Sequence, residues 1–369
     1  MTLPEALRAS FPDDDPGPAL AIAGEAEAAG DLRLAATALD RAYGLATADP
    51  GIRERRQNIL DRLAVTEHGL VFRYIPAGTF LMGSEDGDPD ERPVRSTLVD
   101  AFWMSETTIS WGVFCRLLNW TPPPARPGLT PPERFFMDLW GEHAAHDLEQ
   151  AFRVRLQYCE DATAGARDWH DHDPAELARR AHGAEAVPAG APGRFPDRAP
   201  DTPWRYEDKP MVAVSWQEAE ALAATVSTAE VRYGLPTEPQ WERAARAGLI
   251  GCRYAWGNEP PTAERCDFGS FAPYAIKPCR AFPPNGYGLY AMCGSVWEWT
   301  SDYYDGHNPT GAALRATERV LRGGSWTDPA EAVTVSFRMS RRGDLSGRPP
   351  ANYLAPNIGF RLARFERHR

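Results

Sequence analysis

Gly294-Ser295-Val296-Trp297-Glu298-Trp299 and, further along, Arg322-Gly323-Gly324-Ser325-Trp326 are the segments on which the fold turns. Trp297 and Trp299 stand at i and i+2, so in an extended segment both indoles point to one face and fill a core. Gly323-Gly324 lets the backbone turn where a Cβ would clash. The rest of the composition agrees with a chain built of short elements and tight turns. Its 369 residues include 34 Pro, 31 Gly and 12 Trp. That Pro and Gly share is above the usual one and predicts many loops, and the Trp count predicts packed aromatic junctions or a ligand-lined groove. The length fits two domains, or one large domain with an appendage.

Charge and hydropathy exclude several roles. The net charge of −11 argues against a nucleic-acid partner, because phosphate binding needs a basic face. No run of roughly 18 apolar residues predicts a membrane-spanning helix. Met1-Thr2-Leu3-Pro4-Glu5 lacks the basic and apolar regions of a secretory signal. A cytoplasmic location is expected, with the six cysteines kept reduced.

Outward from the central motifs, the period changes twice. Residues 1–66 read as helical. Pro16–Ala29 is Ala-rich, Gly30-Asp31 is a turn, Leu32–Ala48 repeats small and apolar residues, and Ile52, Ile59, Leu60 and Leu63 form the stripe of a third helix. This is either a tetratricopeptide-like hairpin or a cap on the main domain, 67–369. From Leu70 strands are expected: Leu70–Pro76, Thr79–Met82 and Thr97–Met104. The acidic run between them carries Asp86, Asp88 and Asp90, which either bind a cation or form a solvated loop. Ser110 opens a helix at Trp111. Ser215–Glu218 and Thr237–Gln240 are capping boxes opening helices over Trp216–Thr225 and Glu238–Ala247. An insertion at 121–206, helical over Glu133–Ala181 and ending in a Pro/Gly-rich run, separates the two halves of this pattern.

Read in order, several further segments resemble the formylglycine-generating-enzyme (sulfatase-modifying factor) family. They are Ile75–Ser84, Pro210–Trp216, Gly234–Glu242, Tyr254–Asn258, Asn285–Tyr290, Gly294–Trp299, Arg322–Trp326 and Asn357–Arg361. The resemblance implies an α+β, C-type-lectin-like fold with little regular structure, short twisted sheets and many loops.

It also implies chemistry that this sequence lacks. The copper-dependent oxidases of the family bind Cu(I) through two cysteines after the Gly-Gly-Ser segment. Here Asp328 and Val333 stand near those positions, and a carboxylate with an aliphatic side chain cannot hold that soft ion. Copper is therefore not expected as a cofactor. The family's calcium site matches at Gly294, Val296 and Glu298, but its Asn position is Ala291, which predicts a weakened structural calcium site. The iron-binding histidines of the related sulfoxide synthases have no counterpart in residues 1–66. His143, His146 and Glu149 on one helix face, with His170 and His172 nearby, offer a speculative iron site or are exposed polar side chains. Cys266, Cys279 and Cys293 could bind zinc or be buried thiols.

What remains is a pocket rim: Ser325, Trp326, Asp328, Arg338, Arg341, Arg342 and Asn357. These residues either bind a ligand, the arginines clamping a carboxylate or phosphate, or tie the loops together. Two functions follow. One is a ligand- or protein-binding accessory module whose partner docks on 1–66 or 121–206. The other is an O2-dependent non-heme metal oxidoreductase, related to the sulfoxide-synthase or pyoverdine-maturation branches.

Overall fold

The computed structural model describes residues 15–117, 208–212, 214–269, 276–304, 318–342 and 357–367. Three helices come first: α1 (Gly17–Ala28), α2 (Leu32–Leu45) and α3 (Pro50–Leu63). Asp31 caps α2 by accepting the Leu34 N–H at 3.0 Å. Asp49 caps α3 through Gly51 and Ile52, with Pro50 in the first turn, where its missing N–H costs nothing. Buried Ala23, Ala35, Ala36 and Ala38 allow α1 and α2 to approach closely.

A buried ionic joint fastens these helices to the rest of the chain. Asp40 on α2 accepts Arg56 Nε and a terminal guanidinium nitrogen at 2.9 and 2.7 Å on one oxygen. Its other oxygen accepts Arg243 at 3.1 Å and the Tyr287 hydroxyl at 2.8 Å. Arg56 also donates to the Ala247 and Gly286 carbonyls, and its guanidinium lies 4.6 and 4.7 Å from the Tyr43 and Tyr287 ring centres.

The strands are β1 (Val65–Glu67), β2 (Leu70–Ile75), β3 (Gly78–Met82), β4 (Arg95–Val99), β5 (Phe102–Ser105), β6 (Val231–Gly234), β7 (Trp297–Tyr303), β8 (Glu318–Arg322), β9 (Arg338–Arg342), β10 (Ile358–Gly359) and β11 (Ala363–Glu366). An antiparallel five-stranded sheet has the order β1-β2-β5-β11-β6. A four-stranded sheet has the order β10-β7-β8-β9, with β10 parallel to β7. β3 and β4 pair separately. The single strand expected over Thr97–Met104 is in fact two. The chain breaks at Asp100-Ala101 and changes partners, β4 pairing with β3 while β5 enters the large sheet between β2 and β11.

Three further helices are α4 (Trp111–Leu117), α5 (Trp216–Val226) and α6 (Glu238–Arg246). Both capping boxes close as the sequence predicts. Ser215 exchanges bonds with Glu218 at 2.6 and 3.1 Å, and Thr237 with Gln240 at 2.9 and 3.3 Å. The core between the sheets is aromatic: Trp111, Trp241, Trp297, Trp299 and Trp326 are all fully buried. The helical segment expected over Glu133–Ala181 lies outside the described residues.

Candidate functional site

The Gly-Gly-Ser turn follows β8 and packs against α6 and the start of β7. Gly324 has φ +70°, and a Cβ there would lie 2.6 Å from the Ala332 carbonyl oxygen and 2.7 Å from a Val333 methyl. Only glycine allows that approach. The turn then closes on itself. Asp328 accepts the Ser325 N–H at 2.9 Å and also the Ser325 hydroxyl. Asn357, ahead of β10, donates to Ser325 Oγ at 3.0 Å and Thr327 Oγ1 at 3.2 Å. Its own carbonyl accepts the Trp297 N–H at 2.8 Å. Ser325, Asp328 and Asn357 do come together, as the sequence places them, but their polar atoms satisfy one another.

Arg338 at this end is likewise engaged within the chain. Arg338 makes a bidentate pair with Glu238, at 2.6 and 3.0 Å, and donates to the Asp90 carbonyl. Trp326 is buried. Arg341 lies in β9 opposite Arg319, and of Arg342 only its backbone place at the end of β9 is described. The bonds of Ser325, Asp328, Arg338 and Asn357 run between loops of the chain.

The acidic run Glu85–Glu91 is a closed turn rather than a cation loop. Asp88 and Glu91 form a capping box around the 3-10 turn Pro89–Glu91. Asp90 accepts the Tyr304 hydroxyl at 2.6 Å.

Beneath the turn is a buried ionic framework that periodicity does not reveal. Glu242, on α6, accepts the Gly83 N–H at 2.8 Å and Arg246 at 2.9 and 2.7 Å, and is paired with Arg322. Burial alone would push its carboxyl up, but Arg246 and then Arg322 outweigh that and hold it below the ordinary range. Arg322 also donates to the Val335 and Phe337 carbonyls at 3.0 and 2.7 Å. The segment 335–337 is thus anchored by a side chain that precedes the double glycine. The spacing of Glu242 and Arg246, i and i+4 on a helix, is the sequence signal that could have found part of this framework.

The copper that the family resemblance implies does not fit. Cu(I) needs thiolates. The Asp328 carboxylate belongs to the turn, and Val333 is completely buried hydrocarbon. Cys252, Cys266, Cys279 and Cys293 are buried free thiols. Burial pushes Cys266 and Cys279 up to about 12 and raises Cys252 and Cys293 as well, which disfavours the thiolate that binds metals or attacks as a nucleophile. Cys279 contacts Thr108 Oγ1 at 3.4 Å, and Cys293 accepts the Ala255 N–H at 3.4 Å. Among the described residues, no group of three or more His, Cys, Asp and Glu converges as metal ligands do.

Calcium fits poorly too. Gly294 and Val296 keep their places before β7, and a Cβ at Gly294 would lie 2.2 Å from the Asp267 carbonyl oxygen. Glu298, however, is matched by Arg361, which donates to both its oxygens at 2.7 Å, and Trp241 Nε1 donates to it at 2.7 Å. Ala291 supplies no side-chain oxygen. It retains a left-handed φ of +53°, a conformation in which Asn is enriched. His143, His146, His170 and His172 lie outside the described residues.

Comparison with known proteins accounts for this scaffold. The profile of a family described as "sulfatase-modifying factor enzyme 1-like domain" matches residues 63–365. The chain is 32% identical to the formylglycine-generating enzyme of Streptomyces coelicolor over 322 residues, covering 78% of this chain and 87% of the relative. It is 30% identical to the formylglycine-generating enzyme of Bos taurus over 317 residues, covering 78% and 73%. A bovine relative named inactive C-alpha-formylglycine-generating enzyme 2 is 37% identical over 169 residues, 42% of this chain and 50% of that one. The structure of PvdO from Pseudomonas aeruginosa superposes with a TM-score of 0.50 at 20% identity, covering 82% of this chain and 97% of PvdO, and so shares the fold. The chain belongs to the formylglycine-generating-enzyme, or sulfatase-modifying factor, family.

Proposed function

We propose that this chain is a binding member of its family, an accessory module that does not carry out copper-dependent formylglycine synthesis. One observation carries the reading: where the family chemistry needs a thiolate pair, Asp328 caps a turn and Val333 fills the core. The burial of the four described thiols supports it, because burial in apolar surroundings disfavours the nucleophilic thiolate. Among the described residues, the Gly-Gly-Ser turn, the segment 335–337 and the start of β10 are each held by hydrogen bonds. A rigid scaffold presenting loops is a common basis for recognition. A protein partner falls to the outer faces of α1–α3 and to the insertion at 121–206, since the inner face of the cap is taken up by the Asp40 joint.

The test is direct. The purified chain, loaded anaerobically with Cu(I) and mixed with a cysteine-containing sulfatase-type peptide and O2, should yield no formylglycine by mass spectrometry. Its metal content should be far below one equivalent. Turnover of the peptide would overturn the reading. So would one equivalent of iron lost on His143→Ala or His170→Ala, which would favour the O2-dependent oxidoreductase instead.

A further inference from the structure

We infer that the chain binds a small aromatic carboxylate in a pocket between the Trp256 turn and the Pro283-Pro284 loop, distinct from the Gly-Gly-Ser turn. The cavity is about 130 Å3. A cavity of about 150 Å3 lined by hydrocarbon holds one benzene ring, so the space suits a single ring. Its floor is apolar: Ala255, Leu289, Met292 and Cys293 are all buried. The Cys293 sulfur already accepts the Ala255 N–H at 3.4 Å, so nothing on the floor calls for a charged or strongly polar group.

Both walls are fixed before any ligand arrives. Asn285 locks the proline loop by donating to the Ala244 and Ala245 carbonyls at 2.8 and 3.2 Å. It also accepts the Tyr287 and Leu289 N–H groups at 3.0 and 3.1 Å. Opposite, the Trp256 ring stacks on Tyr254 with centroids 5.1 Å apart and planes 4° from parallel. Its indole N–H is tied to the Glu259 carbonyl at 2.9 Å. A pre-formed site avoids the ordering cost of binding. A largely apolar pocket with one placed polar group is the usual form of a small-molecule site.

That polar group is Arg265. It lines the cavity, and its guanidinium lies 5.9 Å from the Trp256 ring centre. Its partner in the structure is Glu259, whose side chain is 73% exposed. So exposed a pair contributes little, and a carboxylate carried by a ring in the pocket can replace it with a bidentate bond. Ala291 adds a methyl group at the lining, where any longer side chain would narrow the cavity. The volume admits one ring and the rim offers one cation, so the class is a single-ring carboxylate such as a phenylacetate.

The inference goes beyond the proposed binding role and does not depend on what the Gly-Gly-Ser turn does. The test uses the full chain with two probes, phenylacetate and its uncharged isostere phenylacetamide, read by ligand-observed NMR titration and by thermal shift. Both probes should saturate the wild type, phenylacetate the more tightly. Arg265→Gln, at the surface, should weaken phenylacetate at least about fivefold and leave phenylacetamide unchanged. Ala255→Leu should abolish both while keeping the native melting curve. Equal phenylacetate affinity in wild type and Arg265→Gln would overturn the inference, as would failure of either probe to saturate the wild type. If Ala255→Leu does not fold, the two-probe comparison at Arg265 decides alone. None of these results bears on formylglycine formation, so this inference and the proposed function fail separately.

Discussion

Asp40→Asn removes the carboxylate that joins Arg56 of α3 to Arg243 and Tyr287 of the rest of the chain, while keeping the side chain's size. In the native joint the carboxylate receives four hydrogen bonds, two from Arg56, one from Arg243 and one from Tyr287. Arg56 is 1% exposed and Arg243 5%. After substitution two buried guanidinium groups face a neutral amide, whose NH2 can only oppose them. Removing one partner of a buried pair costs about 3–5 kcal/mol, because the remaining charge stays desolvated. At roughly 2–4 °C per kcal/mol for a domain of 150–250 residues, the melting temperature should fall by roughly 6–20 °C. Differential scanning calorimetry measures this, and limited proteolysis in the α1–α3 segment reads the cap separately. Asp40→Leu combined with Arg56→Met, an apolar replacement of similar volume, should recover part of the loss. A melting temperature within 2 °C of wild type for Asp40→Asn, with the cap still protected, would refute the idea that this joint fastens cap to domain.

Three further outcomes follow from the same physics. Glu242→Gln should destabilise the chain at pH 7. Glu242 is held below the ordinary carboxylate range, so its contribution is full above that range and is lost as pH falls through its depressed folded value. The gap between mutant and wild type in urea melts should therefore narrow in acid, and a gap that widens there would contradict the assignment. Asp267 behaves oppositely, since burial raises its carboxyl and one oxygen has no hydrogen-bond partner. Its stability contribution is present below the ordinary carboxylate range and lost as pH rises through the raised folded value, so Asp267→Asn should raise the melting temperature at pH 8 and not at pH 4. Iodoacetamide labelling at pH 8 followed by mass spectrometry should leave Cys252, Cys266, Cys279 and Cys293 unmodified until the chain is unfolded; rapid native labelling of any of them would show a lowered thiol pKa instead.

Much of the scaffold was legible in the sequence because its signals are local. A hydroxyl three residues before Glu or Gln marks a helix start whatever surrounds it, and Ser215 and Thr237 behave accordingly. The indole pair at Trp297 and Trp299 reads correctly for the same reason. The single strand expected over Thr97–Met104 failed because the hydrophobic run continues through a break that only the sheet partners of β4 and β5 define. Glu298 lies between two core indoles and is itself buried, since Arg361, far along the chain, supplies its counter-charge. The pairs of Asp40 with Arg243 and of Glu242 with Arg322 join residues far apart in the chain, and such pairs leave no periodicity. The rim residues Ser325, Asp328, Arg338 and Asn357 were found by position, but whether their polar atoms face outward or one another is set by packing alone.

At the family's copper position stand a capped turn, at Asp328, and a core side chain, Val333. Anaerobic competition of the purified chain against a chromophoric Cu(I) chelator tests this most directly. The chelator should keep all the copper at every protein concentration. Withdrawal of one equivalent of Cu(I) by the chain, with the chelator's colour lost in proportion, would contradict that assignment.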